Sequence, residues 1–142
     1  MSLAYVNIGS NIGKREQLIA QALEKISECF GICCVSSIIE TEPWGYESGN
    51  RFLNLGVSFR LAEPDPEMLL TKLQEIEKAI SKVDHRDIEG NYKDREIDID
   101  IMAIDDLRYE SERLIIPHKH LLDRKFFLEP LKELNNNWKY PG

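Results

Sequence analysis

Hydrophobic and polar positions along the chain change period several times, and each change marks an element. Residues 3–9, LAYVNIG, alternate closely enough to predict a strand. From 14 to 30 the period lengthens: Leu18, Ile19, Ala22, Leu23, Ile26 and Phe30 recur at helical spacing, and the stripe stops at Gly31. ICCVSSIIET (32–41) predicts a second strand from its β-branched content. EPWGYESGN (42–50) carries Pro, Gly, Ser and Asn and reads as a loop, and RFLNLGVSFRL (51–61) as a third strand. Asp65 and Pro66 suit the N-cap and first position of a helix that buries Leu69, Leu70, Leu73, Ile76 and Ile80.

Residues 83–94, VDHRDIEGNYKD, are polar and charge-dense and have no period. Strict alternation then resumes in REIDIDI (95–101). Ile97, Ile99 and Ile101 can all enter a core, which leaves Glu96, Asp98 and Asp100 in a row on the other face. Asp98 and Asp100 then stand roughly 7 Å apart, two strand rises. Like charges this close repel unless water screens them or a cation sits between them. On this heptapeptide alone a solvated face and a divalent-metal site both stand. Further on, PHKHLLDRKFFLEPLKEL (117–134) mixes a Pro-led turn with a short helix.

The order β-α-β-β-α-β plus a tail helix is the split β-α-β arrangement of ferredoxin-like folds. An α/β (α+β) domain is therefore expected, an antiparallel sheet with helices packed on it. In that arrangement the acidic strand is expected to pair on both sides, at the sheet centre, where a row of acids needs a reason. No repeat, low-complexity tract or linker interrupts the chain, so residues 1–142 are expected to form a single domain.

Composition narrows the function. With 42% hydrophobic and 30% charged residues, the 142-residue chain is ordinary for a globular protein. Its net charge is −7 and it has no basic stripe, which argues against nucleic acid as the main partner. No apolar run reaches membrane-span length and no leader-like segment opens the chain, so no membrane partner is expected. Cys29, Cys33 and Cys34 have no C-x-x-C spacing and read as reduced residues of a cytoplasmic protein.

Three short matches are declined. GSNIGKR (9–15) is one residue short of a phosphate-binding P-loop and has Arg15 where Ser or Thr should stand. HRDIEGN (85–91) echoes a protein-kinase catalytic loop with Asn91 one position early. HKH (118–120) offers two nitrogens and no third metal ligand.

Two aspartates that bind through oxygen alone suit Mg²⁺, which keeps waters and takes further ligands from phosphates. Such a pair can also hold two ions that clamp a transferring phosphoryl group. Arg95, Arg113, His118 and Arg124 lie in the flanking segments. Acids for metal beside cations for phosphate are the parts of phosphoryl transfer.

NIGSN (7–11), ETEPWG (40–45), FLN (52–54), REIDIDIM (95–102) and PHKHLLDRKFFLEPL (117–131) together resemble the 6-hydroxymethyl-7,8-dihydropterin pyrophosphokinases of the folate pathway. They run in family order from residue 4 to about 134. The resemblance implies transfer of the β,γ-pyrophosphoryl group of ATP to the pterin hydroxymethyl oxygen, with release of AMP. It implies Asp98 and Asp100 as ligands of two Mg²⁺ ions. Arg95 matches a phosphate-binding arginine, and His118 and Arg124 match nucleotide contacts near the phosphates. Gln74, Glu77, Ile101 and Arg113 match further nucleotide positions, with Ile101 and Arg113 near the base. Phe52 and Phe126 match the aromatics that stack the pterin ring. Asn54 and Thr41 suit its amide-like edge, as do backbone groups of the loop that contains Glu42, Pro43 and Trp44.

The chain departs from the family's pattern in SKVDHR (81–86), where relatives often carry G-R-x-R. Lys82 stands in one basic place and Asp84 in the other, so either Arg86 supplies the second cation, which is the expectation, or one phosphate contact is lost. Tyr92 stands where tryptophan is frequent. A monomer is expected, with ATP and the pterin as its partners. Two other classes stay open: a metal-dependent phosphohydrolase built on the same aspartates, and a binding module on a ferredoxin-like sheet.

Overall fold

The computed structural model describes residues 2–43, 49–81 and 96–141. Strand β1 (Ser2–Ser10) leads into helix α1 (Arg15–Phe30), which ends at Gly31 with a φ of 89°. That left-handed value suits glycine, which has no Cβ to clash. Strands β2 (Cys33–Val35), β3 (Ile39–Thr41) and β4 (Phe52–Leu61) follow. Helix α2 (Pro66–Ile80) opens as its sequence predicts: the Asp65 carboxylate accepts from the Met68 N–H at 3.1 Å and Pro66 enters first. Strand β5 (Asp98–Ile104), a hairpin of β6 (Tyr109–Glu110) and β7 (Ile115–Ile116), and helix α3 (Lys125–Leu134) complete the order.

The sheet runs β2-β4-β1-β5, with β3 also paired to β4, and every pairing is antiparallel. The expected second strand over 32–41 is therefore two short strands on one neighbour. Ser36 and Ser37 cause the break: the Ser36 hydroxyl accepts from the Gly56 N–H at 2.7 Å, and Ser37 donates its N–H and hydroxyl to Glu133. The Ser36 N–H keeps one ladder bond to the Gly56 carbonyl at 2.9 Å, and the ladder breaks where the Ser37 N–H turns to Glu133.

The acidic strand departs from expectation more consequentially. Among the described residues β5 pairs with β1 alone, at the sheet edge, and the interior strands are β1 and β4. β1 already holds β4 on its other side, so the last strand of this order can only add to the outside.

Two cores lie on opposite faces of the sheet. On one face α1 and α2 cover Val6, Ile8, Leu55, Val57, Phe59, Ile97, Ile99 and Ile101, with Phe30 stacked on Phe59 at 4.6 Å. Each such buried side chain is worth roughly 1.5–3 kcal/mol. On the other face α3 and the chain after it cover Tyr5, Met102, Ala103, Leu121, Phe127 and Leu131, with Trp138 beside them. α3 comes close because Gly56 has no side chain; a Cβ there would stand 2.8 Å from the Pro130 Cβ. α3 covers only part of this second face. A register shift between Tyr5 and Val6 makes Met102 an extra residue of β5, so Met102 and Ala103 both turn toward α3 and Ile104 returns to the first core.

Candidate active site

The uncovered part of the second face carries the polar residues. Cross-strand register sets them in rows: Asn54 of β4, Gly9 of β1 and Asp98 of β5 form one, and Gly56, Asn7 and Asp100 form the next. Strands stand about 4.8 Å apart, so Asn54 and Asp98 are separated at the backbone by roughly 10 Å with only glycine between them. Gly9 is needed there. A Cβ at that position would meet the Asn54 Oδ1 at 2.8 Å and the Phe52 Cδ1 at 3.4 Å.

Asn54 is buried, and its amide nitrogen donates to the Thr41 hydroxyl at 3.1 Å. That bond holds the Asn54 amide against Thr41. Phe52, two residues earlier, lies on the same face and is partly exposed. Phe126, in the first turn of α3, packs edge-on against Phe127 at 5.1 Å and is also partly exposed. Arg124, the residue before α3, lies with its guanidinium carbon 5.6 Å from the Phe126 ring centre and 5.0 Å from that of Phe127. Such contacts hold a cation in place without neutralising it. Glu42 pairs with Arg51 at 3.4 Å and is exposed; Pro43 is partly buried.

A second concavity, about 250 Å³, opens at the outer edge of β5. Leu70, Ile99, Ile101, Leu114 and Ile115 give it apolar walls, and Asp100, Arg113, His118 and Lys119 give it a polar mouth. The β6–β7 hairpin forms one wall and is pinned to α2. The Glu67 Oε2 accepts from the Tyr109 hydroxyl at 2.6 Å and the Ser111 hydroxyl at 2.8 Å. These bonds, Tyr109 first, hold the Glu67 carboxyl below its usual range, and Glu67 in turn raises Tyr109. Arg113 donates to Gln74 at 3.2 Å and to Thr71 at 3.4 Å. Glu77 accepts the outward Ile99 N–H at 2.8 Å, so it closes part of the strand edge.

His118 is fixed from two sides: its N–H donates to the Met102 carbonyl at 2.9 Å, and its Nδ1 accepts the His120 N–H at 3.1 Å. Burial, then the charges of Arg124, His120 and Lys119, push its pKa down to about 3. The ring is neutral at ordinary pH with its proton on Nε2, a donor that carries no charge. His120 faces Asp123 at 3.3 Å, so both rings of the H-x-H serve the turn's own bonds.

The structure thus brings Asp98, Asp100, Asn54, Thr41, Phe52 and Phe126 to one face, and Gln74, Ile101, Arg113 and His118 to the adjoining cleft. Asp100 belongs to both. Trp44, Lys82, Arg86 and Arg95 lie outside the described residues. Asn7 and Glu67 join the site only in the fold. Asn7 left a signal, an amide on the Tyr5–Gly9 face of an otherwise apolar strand; Glu67 left none, because its partners lie more than 40 residues away.

The family model for 7,8-dihydro-6-hydroxymethylpterin-pyrophosphokinase matches residues 5–136. The chain belongs to this pyrophosphokinase family. It is 33% identical to the 2-amino-4-hydroxy-6-hydroxymethyldihydropteridine pyrophosphokinase of Aquifex aeolicus, over 99% of this chain and 85% of that protein. Identity to the pyrophosphokinase of the same name from Porphyromonas gingivalis is 36%, over 99% of this chain and 95% of that one. Among solved structures, HPPK-DHPS in complex with substrates shares the fold at a TM-score of 0.69 and 16% identity. That likeness covers 98% of this chain and 41% of the solved one, so this pyrophosphokinase chain spans less than half of the larger protein.

Proposed function

We propose that this chain transfers the β,γ-pyrophosphoryl group of ATP to the hydroxymethyl oxygen of 6-hydroxymethyl-7,8-dihydropterin, giving the pterin pyrophosphate and AMP for folate biosynthesis. One observation carries the residue assignment: the aspartate row lies between an aromatic-flanked polar slot and an apolar cleft whose polar mouth includes Arg113 and Lys119. A flat heterocycle fits the slot, a nucleotide base the cleft, and the phosphates between them meet the acids. The edge position of β5 supports this reading, since a nucleotide can approach an outer edge that a central strand would not offer.

Two half-buried carboxylates, with no third carboxylate, imidazole or thiolate grouped with them among the described residues, form a hard and incomplete donor set. That set suits Mg²⁺, which completes its shell with water and phosphate oxygen. Asp98 and Asp100 would hold two ions, and these supply neutralisation of charge on the triphosphate. Phe52 and Phe126 flank the pterin, while Asn54, Thr41 and the backbone of Glu42, Pro43 and Trp44 meet its edge. The neutral His118 donates from Nε2 to a phosphate oxygen, and Arg124, Arg95 and Lys82 add charge. Arg86 stands in for the cation absent at Asp84. Ile101, Gln74, Glu77 and Arg113 form the nucleotide side. The hydroxymethyl oxygen bonds to the β-phosphorus as the bond from that phosphorus to the α-bridging oxygen breaks, AMP leaves, and the hydroxyl proton passes to water. No strong base is required, because positioning and charge neutralisation dominate such transfers.

Among the described residues no helix is long and apolar enough to cross a membrane. A single-domain cytoplasmic monomer with three reduced cysteines completes the proposal. The test is nucleotide product analysis with Mg²⁺, with and without the hydroxymethyl pterin. AMP formed only with pterin supports the transfer. ADP or phosphate formed without pterin would assign a phosphohydrolase instead.

A further inference from the structure

Helix α3 contains a proline, Pro130, in its middle. A proline has no N–H, so the carbonyl four residues earlier loses its helical donor. That carbonyl belongs to Phe126. It is not left bare: the Asn7 side-chain nitrogen, reaching from β1, donates to it at 2.7 Å. Asn7 is 2% exposed and stands in register with Asp100. The bond therefore ties the first turn of α3 to the sheet within one strand spacing of the acidic pair.

We infer that Asn7 is a positioning residue that sets the height and tilt of the Phe126 ring over the pterin slot, in partnership with Pro130. The inference rests on the proposed stacking role of Phe126. Pro130 frees the carbonyl from the helix, and Asn7 uses it to fix the helix to the strand. An amide donor in the same place, supplied by the helix itself, would satisfy the carbonyl as well.

Restoring that helical donor separates satisfaction of the carbonyl from the tie between α3 and β1. Pterin is titrated into protein saturated with Mg²⁺ and a non-hydrolysable ATP analogue, and the analogue is titrated separately. Asn7→Ala is expected to weaken pterin binding about 10-fold, the scale of one lost buried hydrogen bond, and to leave analogue binding within about 2-fold. Pro130→Ala keeps the Cβ that meets Gly56 and restores a backbone N–H to Phe126. The double variant Asn7→Ala with Pro130→Ala should therefore regain stability in urea unfolding but stay about 10-fold weak for pterin, because a bond inside the helix satisfies the carbonyl without tying α3 to β1. An asparagine that merely satisfies the carbonyl would let pterin affinity recover together with stability in the double variant, and that result overturns the inference. Equal losses for both ligands in Asn7→Ala overturn it too. Asn7→Ser, whose hydroxyl is too short to reach the carbonyl, takes the same place if the alanine variant does not fold. Phe126→Ala separates the two layers of argument. Unchanged pterin affinity in Phe126→Ala removes the stacking reading and this inference with it. Weakened affinity in Phe126→Ala, with wild-type affinity in Asn7→Ala, removes the inference alone.

Discussion

Replacing Asp98 or Asp100 with asparagine deletes one negative charge while volume hardly changes, so the variant isolates what the charge does. Each replacement is expected to keep the fold, read by circular dichroism, and to lower turnover by at least about two orders of magnitude, as the loss of a charged Mg²⁺ ligand should. A near-normal rate in either variant would refute the metal assignment. His118 makes a different kind of prediction. Its folded pKa of about 3 lies below the value of 6.5 for a free imidazole. Below pH 6.5 the unfolded chain therefore binds a proton that the folded chain refuses, and stability is lost as pH falls from 6.5 towards 3. Replacing His118 with asparagine should flatten that part of the stability-against-pH curve in urea titrations at pH 7, 6 and 5. An equally steep fall would mean that other groups carry it.

α3 is the element on which most depends, because it covers one end of the second sheet face and presents Phe126 at the other. Its approach is permitted by Gly56, whose missing side chain leaves room for Pro130 and Leu134. Gly56→Ala places a methyl 2.8 Å from a ring carbon that cannot swing aside, so a loss of about 1–3 kcal/mol in urea unfolding is expected. A neutral result would show that α3 can lift at little cost. The elements themselves were mostly legible in the chain. The first helix, the first strand and the acidic strand came from periodicity, and α2 from its apolar stripe together with Asp65–Pro66. The split into β2 and β3 was not, because two serines in a β-branched run look like strand residues until their hydroxyl partners are known. The β6–β7 hairpin was missed for a similar reason: two-residue strands have no period. Its stability comes from Glu67, which is remote in sequence.

For the whole molecule, alternation gave the acids their shared face, but it said nothing of where in the sheet their strand lies. The element order predicts that strand at the sheet centre, paired on both sides, whereas among the described residues it pairs with β1 alone, at the edge. Pterin-side and nucleotide-side residues come from distant segments, so only the family resemblance joined them before the fold did. Since the proposed subsites are built on one sheet, the pterin slot on its open face and the nucleotide cleft at its β5 edge, ligand and fold stability should be linked. With Mg²⁺ and an ATP analogue at about a hundredfold excess over Kd, binding adds about 2.7 kcal/mol, on the order of 10 °C in Tm. The shift should depend on Mg²⁺ in the wild type and lose that dependence in Asp98→Asn. A Tm indifferent to Mg²⁺ would detach the acids from nucleotide binding.

The extra residue at Met102 has a consequence for how β5 tolerates change. Ahead of it the strand keeps one phase, isoleucines to the helices and carboxylates to the open face; behind it the phase is reversed. Insertions on its two sides are therefore unequal. One residue added between Asp98 and Asp100 breaks the aspartates' shared outlook and leaves the tail's anchorage intact. One residue added after Ala103 spares the aspartates and turns Ile104 out of its core. The bulge is a joint between two functions of one strand, across which length changes are not transmitted.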